Sequence, residues 1–510
     1  MSRYVTSRAL RLQPFICTRC CLHQVIDAVP RRAFSSSRNT RRGADSNLLE
    51  VLESRGLVNQ IAGDRNALKR LLQKKRLSFY AGIDPTATSL HLGHLLPLMV
   101  LFWSALHGHT AVSLVGGATA RVGDPSGRLT SRQSTAGDVQ RKNFESMFKQ
   151  VGSLWETSLL YAQRHGYTER ETGEHRLLDN AQWLDKLNVL DFLKMLGNGM
   201  RLGTMLGRDT VKNKMEKGDG MSFAEFTYPL LQGWDWWHMY STMDVQIQVG
   251  GSDQYGNIVA GMDAVKYIAQ NQELNHKRPA WLDDQGRLRD EHAPMGLTVP
   301  LLTTASGEKF GKSAGNAVWL DRSMTSPFDL YGFLLRSADA DVERYLKLFT
   351  FVPLEAISRV VEEHSADPGK RNAQHLLAHE VLTLVHGEET ATQTQQEHHA
   401  MRNPISAQSS GAEGDSISLP SSEVIGRSWA RVLAAAGLAA SRSEATRMIS
   451  SGALYVASDR SDGEGKQLHF TQIKDPRKAV EARLLIDGRL LVRTGKWKVK
   501  TIVVVDKKGP

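Results

Sequence analysis

The run Leu77-Ser78-Phe79-Tyr80-Ala81-Gly82-Ile83-Asp84-Pro85-Thr86, followed by His91-Leu92-Gly93-His94, carries the fold of this chain in miniature. Apolar, β-prone residues over 77–82 read as a short strand, which a turn containing Gly82 and Pro85 breaks. The two histidines then open a helix over 91–107 that stops before Gly108. A strand, a glycine-bearing turn and a helix N-terminus in that order suit a polyphosphate. Backbone N–H groups at the helix start point toward an anion, the glycine permits close approach, and imidazoles can donate to phosphate oxygens. Taken alone, two histidines three apart read equally well as surface residues.

Working outward, strand-like segments at 111–117, 176–180, 244–251 and 297–303 alternate with helix-like segments at 138–154 and 226–242, with Pro229 tolerated in the first turn of the latter. Residues 47–75 show helical spacing throughout. Alternation of this kind predicts an α/β fold, a Rossmann-like parallel sheet with helices on both faces, over residues 47–320. From Asp321 the strand signals cease, so an α-helical domain is expected over 321–400. Residues 401–423, rich in Ser, Gly and small polar side chains, read as a linker. Beyond it, 424–510 reads as a C-terminal α+β domain. Helices are expected at 428–436 and 441–451, the second with a Ser441/Glu444 capping box and a Gly452 stop, and strands at 454–456, 483–486 and 489–492 around Asp487-Gly488.

A chain of 510 residues with 41% hydrophobic and 23% charged side chains is too long for a single small module and too apolar to be disordered. The longest apolar stretch, 95–117, is interrupted by Pro97, His107 and His109, so no membrane-spanning helix and no membrane partner are expected. The net charge of +10 is unevenly placed: residues 1–42 hold nine arginines and one acid, and residues 425–510 hold 17 basic and 8 acidic side chains. Between these basic ends lies a body that is net acidic.

The first end is Arg- and Ser-rich and almost free of acids, the composition of a mitochondrial transit peptide over residues 1–38; a basic arm that binds RNA is the alternative. The stretch Arg31-Arg32-Ala33-Phe34-Ser35 resembles the Arg-x-Phe-Ser pattern cut by mitochondrial processing proteases, which would place the mature start near Ser35 to Asn39. All three cysteines, Cys17, Cys20 and Cys21, fall within this segment and have no downstream pair to complete a zinc site, so no metal centre is expected.

A second phosphate-type element stands at Lys309-Phe310-Gly311-Lys312-Ser313, where two lysines flexed about a glycine can clamp phosphates as point charges. A third feature is the spacing of Tyr228, Gln232 and Asp235, which share one helix face among Trp234, Trp236 and Trp237. A polar stripe so flanked calls for a partner, although a solvated stripe is the plain alternative.

Together the histidine and lysine elements resemble the two signatures of class I aminoacyl-tRNA synthetases. The segments 80–95, 116–132, 222–235, 248–258 and 296–313 are similar to tyrosyl-tRNA synthetases of the bacterial and mitochondrial type. The resemblance implies a ligase of the mitochondrial matrix that uses ATP with Mg2+ to form tyrosyl-adenylate and then charges tRNA(Tyr), working as a homodimer. It implies that Tyr80 and Asp235 hydrogen-bond the phenol of L-tyrosine, that Asp124, Tyr228 and Gln232 hold its ammonium group, and that Gln248 and Gln254 complete the pocket. His91, His94, Lys309 and Lys312 would serve the phosphates, with Thr86 on phosphate, Gly82, Asp84, Gly93, Gly251 and Asp253 around the nucleotide, and Arg128 and Arg132 assisting as phosphate or tRNA contacts.

The C-terminal block resembles the S4 RNA-binding fold, which would place Arg442, Arg447, Lys496, Lys498 and Lys500 on RNA, in keeping with its basic charge. Four positions depart from the family pattern: Phe310-Gly311 replaces Met-Ser, Tyr255 replaces a common Trp, and Arg128 replaces a common Lys. Tryptophanyl-tRNA synthetase, a close relative in architecture, and an RNA-binding or intron-splicing factor are the competing readings.

Overall fold

The computed structural model describes residues 47–126, 129–130, 137–168, 172–271, 279–303, 316–402, 416–460, 467–486, 488–494 and 498–505, with the backbone of 312–313. The expected transit peptide, and with it every cysteine, lies outside the described residues.

The chain begins with α1 (Leu48–Ser54), β1 (Gln60–Ala62) and α2 (Arg65–Lys74), then alternates through β2 (Ser78–Ile83), α3 (Leu92–Leu106), β3 (Thr110–Val115), α4 (Gly137–Arg164) and β4 (His175–Asp179). Short helices α5 (Ala181–Leu184), α6 (Val189–Met195), α7 (Leu202–Leu206) and α8 (Asp209–Lys217) lead to α9 (Phe223–Met243), β5 (Val245–Gly251), α10 (Tyr255–Asn271) and β6 (Met295–Val299). Strands β2 to β6 are parallel in the order β6-β5-β2-β3-β4, with β1 antiparallel on the β6 edge.

Consecutive residues of the central strands feed two different cores. Phe79, Ala81 and Ile83 join the cluster under α3 and α4, whereas Tyr80, Val112 and Leu114 join the cluster under α9 and α10. Because both faces are covered, the strands read as nearly unbroken apolar runs. The connections run from β2 toward β4 on one side and return to β5 on the other, so the order reverses between β2 and β5, where open α/β sheets bind ligands.

After β6 a short hairpin, β7 (Lys312–Ser313) with β8 (Asn316–Ala317), precedes the helices α11 (Pro327–Leu335), α12 (Asp339–Phe349), α13 (Leu354–Ala366), α14 (Asn372–His386) and α15 (Glu388–Arg402). The last domain comprises β9 (Ser416–Pro420), α16 (Ser421–Val424), α17 (Trp429–Ala435), α18 (Arg442–Ser450), β10 (Leu454–Arg460), β11 (Gln467–Ile473), β12 (Arg489–Thr494) and β13 (Lys498–Val505). Its sheet runs β11-β10-β12-β13-β9, with one face packed on α17 and α18.

Several sequence expectations need correction. Residues 47–75 are two helices separated by β1, whose pairing with β6 overrides the local helical spacing. Pro97 and Pro229 lie beyond the first turn, at the sixth and seventh positions of α3 and α9. Helix α9 starts earlier than expected because Ser222 and Glu225 form a capping box, and dense burial on either side offsets the hydrogen bond each proline forfeits. Strand β6 ends at Val299, just ahead of Pro300, which has no N–H to offer a ladder.

In the C-terminal domain Ser416–Pro420, read as linker, is a strand parallel to β13. Burial of Leu419 pays for it, a contact no local window shows. Residues 483–486 form a short 3₁₀ turn at 482–484 and an Ile486–Arg489 bridge instead of a strand. Glu444 accepts from the Ala440 N–H instead of closing a capping box on Ser441, whose hydroxyl still accepts from the Glu444 N–H.

Candidate active site

At the C-terminal ends of β2, β3, β5 and β6 the sheet opens into a cavity of about 760 Å³. Gly82 is the one exposed position of β2, and a side chain added there would meet nothing within 4 Å, so the backbone itself forms part of the wall. Gly116, just past β3, is needed for the opposite reason: a side chain there would run into Asp84 and Thr119.

Helix α3 opens with a cap made by its own histidines. His91 Nδ1 accepts from the Gly93 N–H at 3.1 Å, His94 Nδ1 accepts from the His91 N–H at 3.1 Å, and the two rings stack at 3.8 Å. Burial, with the neighbouring His91, pushes the His94 imidazole well below its ordinary pKa. A neutral His94 whose Nδ1 accepts carries its proton on Nε2, so it can donate to an anion at the helix N-terminus without bearing a charge. The 316–320 segment docks beside it: Leu92 N–H donates to Val318 O, Leu320 N–H donates to Leu90 O, and His91 bridges Trp319.

The opposite end of the cavity, toward β4, is built around Asp235 on α9. This carboxylate is 3% exposed and accepts from Asn180 Nδ2 at 2.9 Å and Trp183 Nε1 at 2.7 Å. Burial raises its pKa to about 8, with Asp84 and Asp179 adding to the rise and the two donors opposing it. The Tyr80 hydroxyl is buried in the same wall and has no hydrogen-bond partner among the described residues. Burial and the charge of Asp235 both hold its pKa well above the phenol range.

Between these ends, Tyr228 donates to Asp84 Oδ2 at 2.8 Å, and Thr119 donates to Asp84 Oδ1 at 2.8 Å. Asp124 accepts from Gln254 at 2.7 Å and from Asn257 at 3.3 Å, and Asn257 also donates to Gln232 and Ser126. Gln248 Oε1, on β5, is buried without a partner among the described residues. Carboxylates and side-chain oxygens converging on one volume suit a cation or a hydroxyl-bearing ligand in the half nearer Asp235, while the helix N-terminus suits an anion in the other half.

The structure brings Tyr80, Gly82, Asp84, Thr86, His91, Gly93, His94, Asp124, Tyr228, Gln232, Asp235, Gln248, Gly251, Asp253 and Gln254 to the wall of this one cavity. Arg128, Arg132, Lys309 and Lys496 lie outside the described residues, and Lys312 and Lys498 are described as backbone only. Arg442 and Arg447 are exposed on α18, and Lys500 is half-buried on β13. Sequence reasoning missed Asn180, Trp183, Thr119 and Asn257. The signal for Asn180 was available, since it comes at the carboxyl end of the strand that the sequence shows at 176–180. Among the described residues no group of three or more His, Cys, Asp or Glu could hold a metal ion, and no helix is long and apolar enough to cross a membrane.

Comparison with known proteins shows which family the chain resembles. Residues 72–402 match the family described as "tRNA synthetases class I (W and Y)", and residues 407–509 match the "Tyrosyl-tRNA synthetase C-terminal domain". A mitochondrial tyrosine–tRNA ligase from Podospora anserina is 43% identical over 492 residues, covering 91% of this chain and 76% of that protein. The mitochondrial enzyme of Saccharomyces cerevisiae is 40% identical over 353 residues, 69% of this chain and 68% of that one. Among solved structures, a C-terminally truncated mitochondrial tyrosyl-tRNA synthetase from Aspergillus nidulans superposes with a TM-score of 0.65 at 46% identity, covering 70% of this chain and 94% of that one.

Proposed function

Because the chain belongs to the class I tRNA synthetases of the tryptophan and tyrosine type, we propose that its cavity activates L-tyrosine with ATP at the residues described above and passes the product to tRNA(Tyr). The enzyme is a tyrosine–tRNA ligase that acts in mitochondria. The observation that carries the choice of amino acid is the buried Tyr80 hydroxyl, unpartnered among the described residues, beside Asp235 at the end of the cavity away from the His91–His94 helix start.

In this reading the phenol of tyrosine meets Tyr80 and Asp235, and its ammonium group meets Tyr228, Gln232 and Asp124. An amino acid without the hydroxyl leaves those buried groups unpaired and is rejected on that ground. The tyrosine carboxylate is already ionised at neutral pH and needs no general base. Its oxygen attacks the α-phosphorus of ATP, the bond to the β-phosphate breaks, and pyrophosphate departs. His94, donating from Nε2, with His91, Lys309 and Lys312, stabilises the phosphate charge, while Asp253 and Gly251 seat the ribose. ATP is taken as its Mg2+ complex. A terminal ribose hydroxyl of the tRNA then attacks the tyrosyl carbonyl and releases AMP.

The helices from 321 to 400 would support the anticodon arm. The domain beginning at Ser416 would hold RNA through Arg442, Arg447, Lys496, Lys498 and Lys500, and residues 1–38 would be the removable leader. A homodimer is the working unit in this reading, and Arg128 and Arg132 assist the phosphates or the tRNA.

The test is ATP–pyrophosphate exchange on protein starting near residue 39, with tyrosine, phenylalanine and tryptophan in parallel and an Asp235→Ala variant alongside. Exchange driven by tyrosine alone and lost in the variant is expected. Exchange driven equally by tryptophan would reassign the substrate.

A further inference from the structure

The cavity wall on the β6 side is a strap, residues 300–303, that follows the end of β6 and is outside its ladder; Pro300, Leu301 and Leu302 line the cavity. Its described polar anchors come from α12. Arg344 Nη1 donates to Thr303 O at 3.2 Å, Arg344 Nη2 to Leu301 O at 3.4 Å, and the Tyr345 hydroxyl donates to Thr303 O at 3.1 Å. Tyr345 is otherwise wholly buried in the main core, so its ring is fixed while its hydroxyl reaches the strap.

The far end of α12 is tied to the helix that carries His94. Arg55, 4% exposed, donates to Thr350 O at 2.9 Å, Lys347 O at 3.4 Å and Val352 O at 2.8 Å, and its guanidinium lies 4.3 Å from the ring centre of Trp103 on α3. Lys347 O belongs to the last turn of α12 and Thr350 O to its C-cap, carbonyls a helix C-terminus leaves unpaired and where a cation is favoured, while Val352 O lies just beyond the helix. Helix α12 is thereby held through Arg55 to the C-terminal part of α3, and through Arg344 and Tyr345 to the strap.

Sheet order separates the two ends. Asn180 follows β4 at one edge, and the strap follows β6, which only the antiparallel β1 separates from the other edge, with β5, β2 and β3 between. A change at the strap is thus remote from Asp235 and close to the half of the cavity assigned to ATP.

We propose that Arg344 and Tyr345 are positioning residues for the activation step: by holding the Leu301 and Thr303 carbonyls they set the strap against ATP, and so make helix α12 of the helical domain part of the nucleotide site. This rests on the assignment of the cavity to tyrosine activation. Neither side chain touches substrate; both act through the backbone of the strap. Loss of one such hydrogen bond is expected to weaken ATP use about two- to tenfold, and loss of all three by more.

The experiment is pyrophosphate exchange by the full chain without its leader, with ATP and tyrosine varied separately, for Tyr345→Phe, Arg344→Met, Arg344→Lys and the pair Tyr345→Phe/Arg344→Met. Glu343→Gln is the control, because Glu343 pairs with Lys347 on the same helix without reaching the strap. Tyr345→Phe keeps the ring and should fold. The expected result is a raised KM for ATP or a lowered kcat, an unchanged KM for tyrosine, a melting temperature near that of the parent, partial recovery in Arg344→Lys, and no effect in the control. Equal changes in both KM values, or losses that track the melting temperature, would make these contacts structural only and overturn the proposal, as would unchanged kinetics in the pair. Failure of the parent protein to exchange with tyrosine would count against the functional assignment itself.

Discussion

Replacing Tyr80 by phenylalanine should separate stability from substrate reading. In the free protein the Tyr80 hydroxyl is buried and has no partner among the described residues, and an unmade hydrogen bond of this kind costs about 1–3 kcal/mol. Its ring, set edge-on to Trp236 at 5.8 Å and 1% exposed, loses nothing on conversion to phenylalanine. The Tyr80→Phe protein should therefore be at least as stable as the parent, by about 1 kcal/mol if half of that cost is recovered. In the complex the same hydroxyl is expected to meet the phenol of tyrosine, a bond worth about 0.5–1.5 kcal/mol, so kcat/KM for tyrosine should fall roughly two- to thirteenfold. Phenylalanine has no hydroxyl to lose, and the weak exchange it supports should stay unchanged or rise. Denaturant melts of the free protein, paired with pyrophosphate exchange at varied tyrosine and phenylalanine, measure both arms. A loss of more than about 1 kcal/mol of stability, together with equal declines for the two amino acids, would show the hydroxyl to be structural and refute the reasoning.

Asp235 makes a pH prediction. Its carboxyl holds a proton up to about pH 8 in the folded chain and releases it near 3.8 when unfolded, so the folded state binds more protons between those values and loses stability as pH rises through them. Asp235→Asn removes that dependence, and its stability relative to the parent should be greater at pH 8 than at pH 5.5 by on the order of 2 kcal/mol; a pH-independent difference between the two melts would contradict the assignment. Asn180→Ala removes donors to Asp235 and Thr119 and an acceptor for the Ala118 N–H. It should cost about 1–3 kcal/mol of stability, and a tyrosine KM equal to the parent's would argue that Asn180 does not orient the carboxylate. Lys214, wholly buried, pairs with Glu225 at the start of α9. Lys214→Met should cost about 3–5 kcal/mol by stranding the carboxylate, with much of that recovered in the double variant Lys214→Met/Glu225→Gln; a single variant as stable as the parent would disprove the pairing's role.

The sequence by itself determined the α/β class, the helical segment after Asp321, the histidine-bearing helix start and the Tyr228, Gln232 and Asp235 face, while the other cavity residues named from sequence came from the family resemblance. Those features are written in local signals: apolar runs of strand length, a glycine turn before His91-Leu92-Gly93-His94, and the spacing of Tyr228, Gln232 and Asp235 on one helix face. Period and turn chemistry act over a few residues, so they survive in one dimension. Only the tertiary structure decided what depends on distant partners. Strand β1 exists because β6 lies beside it, and β9 because β13 does. Asp235 holds its proton to about pH 8 because burial outweighs donors that arrive from Asn180 and Trp183, more than fifty residues away in the chain. The grip of Arg344 and Tyr345 on the strap joins residues some forty positions apart. Burial and long-range hydrogen bonding are properties of the folded neighbourhood, and no window of sequence contains them.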